Sequence, residues 1–493
     1  MSFENLYNNV LNNIHSGDLA NAKVLVEKLY SNYSNNFDVI CLAAGIEASL
    51  ANYHAAIDLY SIALTKTNIK AAMLDVQLNL AKCFELISEF SKAASCYSSM
   101  IEVKPNQSEW WFGLAQNELV LGNTNAAERA YRKVITHSNI TQQGLIRSYA
   151  FYALSQVKSN FHELAETITQ ELEKCTSARV VANMHFTMAN IYEQENRFDK
   201  AFESLRAANN TILKSIPSYD HSKTIAQAQK VINAIRNDAE QKLITESRTK
   251  NKEEAAPIFV VGLPRSGSTL VESVLSCAPN SKALGEVGYM NSVINKARSL
   301  SLENHYPELL SKLSSDAKSQ LASRYLELTK VNAGVRTIDK FLANFWNVGL
   351  ILAIFPNAKI IACEKTAMDA CVSLYRQNFY EGHPYSYSLE GCADYYSIYK
   401  MLIGFWEETF ANQVYRVSYE SFVTDTESEC VRLFKFCQLD WSKEYLETFV
   451  NRDSVKTASA AQVREPINSR SIDRWKNYRA HLTALSARLL EDT

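Results

Sequence analysis

Small and large apolar residues recur at a fixed spacing along roughly the first 215 residues of the chain. In each repeat an alanine is followed by an apolar residue four positions later and by another three positions after that, as in Ala22, Val26 and Leu29. Such spacings place the side chains on one face of a helix. The corresponding alanines stand 34, 37 and 34 residues apart, at Ala22, Ala56, Ala93 and Ala127. The pattern predicts a tandem array of helical hairpins, with a small residue where two helices approach closely.

The period resembles that of tetratricopeptide repeats, whose units are about 34 residues long. A later unit has Ala201, Leu205 and Ala208 in the same register, and a degenerate copy lies around Leu164. The resemblance covers roughly residues 4–215 and implies an α-helical solenoid that binds a protein or peptide partner. An irregular helical bundle is the alternative.

The chain changes character after these repeats. Residues 222–256 predict a capping helix that gives way to a charged linker, and a strand and turn marked by Pro and Gly first appear at Pro257. We therefore predict two domains, a helical solenoid with its capping and linker helix over residues 1–250 and a second domain over residues 251–493.

The second domain opens with PIFVVGLPRSGSTL, residues 257–270. A buried strand is predicted to end at Gly262, and GLPRSGST then nearly matches the P-loop pattern GxxxxGK[ST], with Ser268 in place of the lysine. Backbone amides at the start of the following helix favour an anion, and Arg265 can hold oxygens with its planar guanidinium. Without the lysine, a triphosphate donor and a P-loop kinase are disfavoured. An ordinary tight connection stays open as an alternative.

Composition and charge narrow the function further. The chain has 51 basic and 53 acidic residues, so nothing in its net charge of −2 favours nucleic acid or an anionic membrane. We expect a cytoplasmic protein without a transmembrane segment, because no apolar run approaches the length of a membrane span. Ten scattered cysteines, without paired or clustered spacing, indicate reduced and mostly buried thiols and no structural zinc.

Several motifs follow the loop in the order found in the sulfotransferase family. They are PRSGST, ALGE, DKFLANFWNVGLILAIFPNAKIIACEKTAMDACVSLYRQNF, VSYESFV and TASAAQVREPINSRSIDRWKNY. Over roughly residues 255–490 the chain resembles this family, and most of all the branch that holds tyrosylprotein sulfotransferases and bacterial proteins with tetratricopeptide repeats before the catalytic domain. The resemblance implies an α/β P-loop-like domain with a central parallel sheet. It also implies 3′-phosphoadenosine 5′-phosphosulfate as co-substrate and sulfuryl transfer without a catalytic metal.

The resemblance further implies roles for the matched residues. The catalytic group consists of Glu286 as general base, Lys340 at the bridging oxygen of the donor, and Arg265. The 5′-phosphosulfate loop is formed by Arg265, Ser266, Gly267, Ser268 and Thr269. The 3′-phosphate is held by Lys365 and Ser373, and further donor contacts come from Tyr419, Ser459 and Arg474, with Arg464 and Arg470 close enough in sequence to assist.

The chain departs from its family at the 3′-phosphate motif. Lys365 replaces the usual arginine and loses the bidentate fork, Ala367 replaces a proline, and Glu364 adds a negative charge. Simpler interpretations also stay open. Glu286 would then be a solvated turn residue, Lys340 a surface residue at a strand end, and SRSIDRWKNY a polar helix start.

The chemistry of transfer fits the residue types. By analogy with phosphoryl transfer, the protein positions groups and neutralises charge on the leaving phosphate, and a phenolic acceptor needs a carboxylate to take its proton. The acceptor itself is open between protein tyrosine and a glycan, lipid or small phenol. A non-catalytic repeat scaffold is a further alternative. Tyr380, Tyr385 and Tyr387, in the loop of residues 378–392, either stack on a substrate ring or pack the loop.

Overall fold

The computed structural model describes residues 2–157, 162–236, 256–301, 306–332, 334–379, 381–448 and 467–491. The chain falls into two compact units, Met1–Lys158 and Ser159–Thr493. The domain boundary predicted near residue 250 lies at residues 237–255, outside the described part, and stays a prediction. Among the described helices, none has the length and apolar character needed to cross a membrane.

The described residues of the first unit form helices that each pack on the next along the chain. Their bounds are α1 Phe3–His15, α2 Leu19–Asn32, α3 Phe37–Ser49, α4 Tyr53–Leu64, α5 Lys70–Leu86, α6 Phe90–Val103, α7 Ser108–Val120, α8 Thr124–His137 and α9 Ile140–Val157.

The packing of these helices confirms the predicted repeats. All four spaced alanines, Ala22, Ala56, Ala93 and Ala127, are completely buried. The ring of Tyr97 lies against Gly113 of the next helix so closely that a Cβ there would stand 2.4 Å from a ring carbon. Small residues thus let neighbouring helices approach while an aromatic ring fills the space between them.

The described residues of the second unit combine helices with one sheet. Its helices are α10 His162–Leu172, α11 Ala178–Gln194, α12 Phe198–Leu213, α13 His221–Arg236, α14 Ser268–Leu275, α15 Tyr289–Ser301, α16 Ser315–Thr329, α17 Val348–Ile354, α18 Ala367–Tyr375, α19 Leu389–Thr409, α20 Tyr419–Thr424, α21 Thr426–Cys437, α22 Tyr445–Thr448 and α23 Thr483–Glu491. Short 3-10 helices span Glu308–Lys312, Leu342–Trp346, Pro384–Tyr387 and Arg474–His481.

Five parallel strands form the sheet of the second unit. They are β1 Ile258–Gly262, β2 Ser281–Gly285, β3 Arg336–Asp339, β4 Lys359–Glu364 and β5 Val414–Ser418, in the order β2-β3-β1-β4-β5. The central strand β1 is buried along its whole length, as its continuous apolar run predicts for a parallel sheet covered on both faces. In register, Ile258 pairs with Lys359 and Gly262 with Cys363. The predicted helical repeats followed by a parallel α/β domain are therefore confirmed.

Candidate active site

Each strand of the sheet is followed by one of the residues that the sequence singles out. Arg265 follows β1, Glu286 follows β2, Lys340 follows β3, Lys365 follows β4 and Tyr419 follows β5. All five strands are parallel, so their carboxyl ends meet at one edge of the sheet. The order of the strands in the sheet reverses direction beside β1. Open parallel sheets bind ligands at such a reversal.

The loop after β1 has the backbone of an anion-binding turn. Arg265 and Gly267 both adopt left-handed conformations, with φ of 72° and 86°, before α14 begins at Ser268. A Cβ on Gly267 would lie 2.5 Å from Cδ2 of Tyr419, so only glycine lets that ring close against the loop. A Cβ on Gly262 would lie 2.9 Å from Oγ of Ser266. Both glycines are therefore required by close contacts.

Three hydroxyls stand in or directly behind this loop. Ser266, Ser268 and Thr269 are each at most 5% exposed. Among the described residues, Oγ of Ser266 is buried and makes no hydrogen bond within the protein. A buried hydroxyl without a partner costs free energy unless a ligand satisfies it. The loop therefore has the chemistry of a phosphate cradle, although the lysine of a P-loop is missing.

Glu286 and Lys340 form a close ion pair at the ends of the neighbouring strands β2 and β3. Nζ of Lys340 lies 2.6 Å from Oε1 of Glu286 and 3.9 Å from Oε2 of Glu272. The Lys340 side chain is completely buried, whereas that of Glu286 is 46% exposed. Glu272 in turn accepts a hydrogen bond of 2.9 Å from the amide of Gly285. Lys340 is thus an internal cation held between two carboxylates, and its interpretation as a surface residue is wrong.

Lys365 is the buried cation after β4. It is 4% exposed, and its ammonium lies 5.0 Å from the centre of the Tyr419 ring. Burial lowers the pKa of Lys365 to about 8; Asp369 partly offsets this effect, and Arg265 adds to it. Arg265 is close enough to lower the pKa of Lys365, and the ring of Tyr419 lies near both Lys365 and the loop after β1. Three predicted donor residues are therefore neighbours.

Arg474 belongs to the same positive region. So does Arg376, which was not among the predicted site residues. Nη2 of Arg474 donates to Glu193 of α11 over 2.8 Å, and Arg376 donates two hydrogen bonds to the same carboxylate. Arg376 is the main cause of a lowered pKa of Arg474, and it also lowers the pKa of Lys365. Arg376 stands three residues after Ser373, and that spacing of about one helical turn is the sequence signal that could have found it.

Residues 257–443, which carry most of this site, match the model of the sulfotransferase family. They form a sulfotransferase domain. The predicted resemblance to the sulfotransferase family is thereby confirmed for this part of the chain.

Matches to other proteins extend beyond residues 257–443. An uncharacterized protein of Aquifex aeolicus (strain VF5) is 28% identical over 345 residues, which cover 67% of this chain and 45% of that protein. The human protein O-mannosyl-transferase TMTC1 is 28% identical over 121 residues, which cover 24% of this chain and 13% of that protein. The chain therefore spans less than half the length of either relative.

Solved structures are also similar to parts of the chain. The sulfotransferase domain from the Synechococcus PCC 7002 olefin synthase is 20% identical, with a TM-score of 0.35 and coverage of 49% of this chain and 96% of that chain. The crystal structure of MamA protein is 13% identical, with a TM-score of 0.29 and coverage of 42% of this chain and 91% of that chain.

The acidic residue beside Lys365 is neutralised inside the sulfotransferase domain. Glu364 pairs with Lys400 and, over 2.9 Å, with Nη1 of Arg416, and it accepts a hydrogen bond of 3.2 Å from Tyr396. Its charge is therefore balanced by two cations of the domain, one on α19 and one on β5. The sequence shows that Glu364 adds a negative charge beside Lys365 but does not show these partners.

The remaining predicted site residues lie on α18 or closer to the C-terminus. Ser373 is half-buried on α18, and Arg470 is exposed. A 3-10 helix begins at Arg474, so the second half of SRSIDRWKNY agrees with its interpretation as a polar helix start. Ser459 and Arg464 lie outside the described residues. Within the described part of the chain, no cluster of His, Cys, Asp or Glu could hold a metal ion.

Two tyrosines of the loop after α18 pack the loop itself. Tyr385 is 3% exposed and stacks on Tyr395 with ring centres 3.7 Å apart, while Tyr387 is 4% exposed and donates to the carbonyl of Phe379. Tyr380 lies outside the described residues. For Tyr385 and Tyr387 the structure therefore supports the interpretation that these side chains pack the loop.

Proposed function

We propose that the protein is a sulfotransferase that uses 3′-phosphoadenosine 5′-phosphosulfate and passes its sulfuryl group directly to an acceptor hydroxyl. The observation that supports this most strongly is the meeting of Arg265, Glu286, Lys340, Lys365 and Tyr419 at the carboxyl edge of one parallel sheet. A sulfotransferase domain supplies the family context.

The donor would be held at two ends. The loop of residues 265–269 would bind the 5′-phosphosulfate, with the unpartnered hydroxyl of Ser266 as one of its donors. Lys365, Ser373 and Arg474 would bind the 3′-phosphate, and the ring of Tyr419, wedged against Gly267, would define the space between the two ends. Ser459 completes the proposed donor set from outside the described residues.

Glu286 and Lys340 would carry the chemistry of transfer. The donor supplies an activated sulfuryl group, and the protein must take a proton from the acceptor and stabilise charge on the departing phosphate. Glu286 reaches solvent and so can meet an acceptor hydroxyl, whereas Lys340 stays inside the domain and can meet the leaving oxygen. Arg265 would add a second cation to the leaving phosphate.

A protein tyrosine is the acceptor that we propose, because a carboxylate base suits a phenolic hydroxyl, whose pKa is near 10. The helical repeats of the first unit would bind the protein or peptide that carries it. The ten cysteines all lie in the described part of the chain as thiols outside disulfides, which suits the reducing environment of the cytoplasm, the location that we propose.

The direct test is formation of 3′-phosphoadenosine 5′-phosphate when the protein is incubated with the sulfuryl donor and a tyrosine-containing peptide or a simple phenol. The proposal predicts acceptor-dependent product formation by the parent and none by Arg265→Ala. Donor binding without transfer to any hydroxyl acceptor would favour a repeat scaffold with an inactive sulfotransferase domain. Transfer to a glycan, lipid or small phenol but to no tyrosine peptide would change the acceptor class and leave the reaction type standing.

A further inference from the structure

Helix α11 places one carboxylate between two arginines of the proposed donor site. Arg376 donates from Nε and Nη2 to the two oxygens of Glu193, Arg474 donates to Oε2 over 2.8 Å, and the hydroxyl of Tyr478 donates to Oε1. The Glu193 side chain is only 7% exposed. Both of its oxygens are thus engaged, and a bidentate arginine pair of this kind fixes geometry as well as charge.

The carboxylate holds together cations that would otherwise repel each other. Arg376 is the main cause of the lowered pKa of Arg474, while Glu193 acts in the opposite direction. Lys365 is within electrostatic reach of both Arg265 and Arg376. Removing one partner from a buried, hydrogen-bonded charge cluster leaves the remaining charges uncompensated. Without Glu193 the two guanidinium groups would therefore lose the carboxylate that they share and the orientation that it fixes.

The helices that carry and flank Glu193 are themselves packed firmly on this part of the domain. Phe202 of α12 stacks on His481 with ring centres 4.4 Å apart and on Tyr375 at 5.9 Å. The buried amide of Asn209 donates to the carbonyl of Tyr375 over 3.0 Å. The pair α11–α12 thus fixes both the end of α18 and the 3-10 helix Arg474–His481, the segments that carry Ser373 and Arg474.

We propose that Glu193 is a positioning residue for the donor, which it serves by holding Arg376 and Arg474 in the orientation that binds the 3′-phosphate. The inference rests on the proposed function. Glu193 lies outside residues 257–443, so a helix that precedes the matched domain would complete its donor site. Each guanidinium has five N–H donors, and Arg376 gives two of them to Glu193.

The test compares two ligands that differ only in the 3′-phosphate. We would measure binding of 3′-phosphoadenosine 5′-phosphate and adenosine 5′-phosphate to the full chain by calorimetry, in the parent and in Glu193→Gln. Loss of an oriented charge-assisted contact should weaken binding of the 3′-phosphorylated ligand by about tenfold or more. Binding of adenosine 5′-phosphate should stay unchanged, because it does not engage the two arginines.

Asp199→Asn is the matched control. Asp199 lies on α12 and accepts a hydrogen bond of 2.8 Å from His481 at the same interface, but its side chain is 83% exposed. The variant removes one negative charge without touching the arginines and should bind both ligands like the parent. Glu193→Asp retains the charge but withdraws it by one methylene, and it should show an intermediate loss of preference for the 3′-phosphorylated ligand.

Three results would overturn the inference. If Glu193→Gln binds the 3′-phosphorylated ligand as tightly as the parent or more tightly, the carboxylate does not position the arginines for it. If Glu193→Gln and Glu193→Asp both lose the two ligands to an equal degree and melt at lower temperature, Glu193 serves the fold. If the parent binds neither ligand, the proposed function fails and the inference fails with it.

Discussion

The ammonium of Lys340 lies 2.6 Å from the carboxylate of Glu286, and the two side chains differ sharply in exposure. Lys340 is completely buried, whereas Glu286 is 46% exposed. The pair therefore joins a cation that faces the interior to a carboxylate that an acceptor can reach from solvent. In the proposed transfer the carboxylate would take the proton of the acceptor, and the cation would stabilise the negative charge left on the donor.

Replacing Glu286 by Gln should remove the base and leave donor binding nearly intact. The amide oxygen of Gln can still accept a hydrogen bond from Lys340, so the buried ammonium keeps a partner. We expect turnover to fall by about 10² to 10⁴, the range attributed to general-base catalysis. Turnover at saturating donor and donor affinity by calorimetry would be measured on the same preparations.

Phenols of graded acidity supply the internal control for Glu286→Gln. An acceptor with a pKa of about 7 needs less help from a base than one near 10, so the variant should recover preferentially with the more acidic phenols. An equal loss across the whole series would remove Glu286 from the catalytic role.

Arg265→Ala should abolish donor binding and transfer without unfolding the protein. Arg265 lies in a left-handed turn before α14, outside the buried core. The helical content measured by circular dichroism should therefore match that of the parent. A variant that binds 3′-phosphoadenosine 5′-phosphate like the parent would show that the loop after β1 does not hold the phosphate.

Ser266→Ala should separate ligand binding from stability. The hydroxyl of Ser266 is buried and, among the described residues, finds no partner in the protein, so its removal should leave the melting temperature of the free protein unchanged or slightly higher. The rise in melting temperature produced by 3′-phosphoadenosine 5′-phosphate should shrink, because the ligand loses a donor. A lower melting temperature with an undiminished ligand effect would mean that the hydroxyl serves the fold.

Donor affinity should fall as pH rises through about 8, because burial lowers the pKa of Lys365 to about 8 and deprotonation removes a cation from the donor site. The lysine is charged below that pH and neutral above it. In Lys365→Arg the cation persists, so this dependence should flatten. The variant should also bind the donor about tenfold more tightly where lysine is charged, through bidentate hydrogen bonds.

Lys400→Arg is the control for that pH series, because Lys400 pairs with Glu364 and is not part of the proposed donor set. It should retain the dependence of the parent. A parent whose affinity is constant from about pH 7 to pH 9 would show that Lys365 does not titrate at the bound phosphate. Weaker binding by Lys365→Arg at every pH would mean that the site is adapted to lysine.

The repeats and the strand ends were predictable because their signals are local. Ala22 and its counterparts recur at helical spacing, and β1 is a continuous apolar run that ends in a glycine turn. The family motifs placed Lys340 at the end of a strand, where the structure has it after β3, whereas the strand β2 that precedes Glu286 was not predicted. Each of these signals is contained within a short stretch of sequence.

Contacts between distant segments were not predictable in this way. Glu193 meets Arg376 across 183 positions of the chain, and Glu364 meets Arg416 across 52. Neither pair has a local spacing that signals it, so the sequence did not show that Glu364 is paired with Arg416 or that Glu193 holds Arg376. The packing of α11 and α12 against the end of α18 depends on the same long-range contacts, which sequence periodicity does not report.

Calorimetric titration of the full parent chain with 3′-phosphoadenosine 5′-phosphate tests the central claim most directly. This ligand carries both phosphates that the proposed site would hold and requires no knowledge of the acceptor. The account predicts binding with a dissociation constant in the low micromolar range, reduced or lost in Arg265→Ala. No binding at millimolar ligand would contradict it and leave a helical-repeat scaffold with a sulfotransferase domain that does not bind the donor.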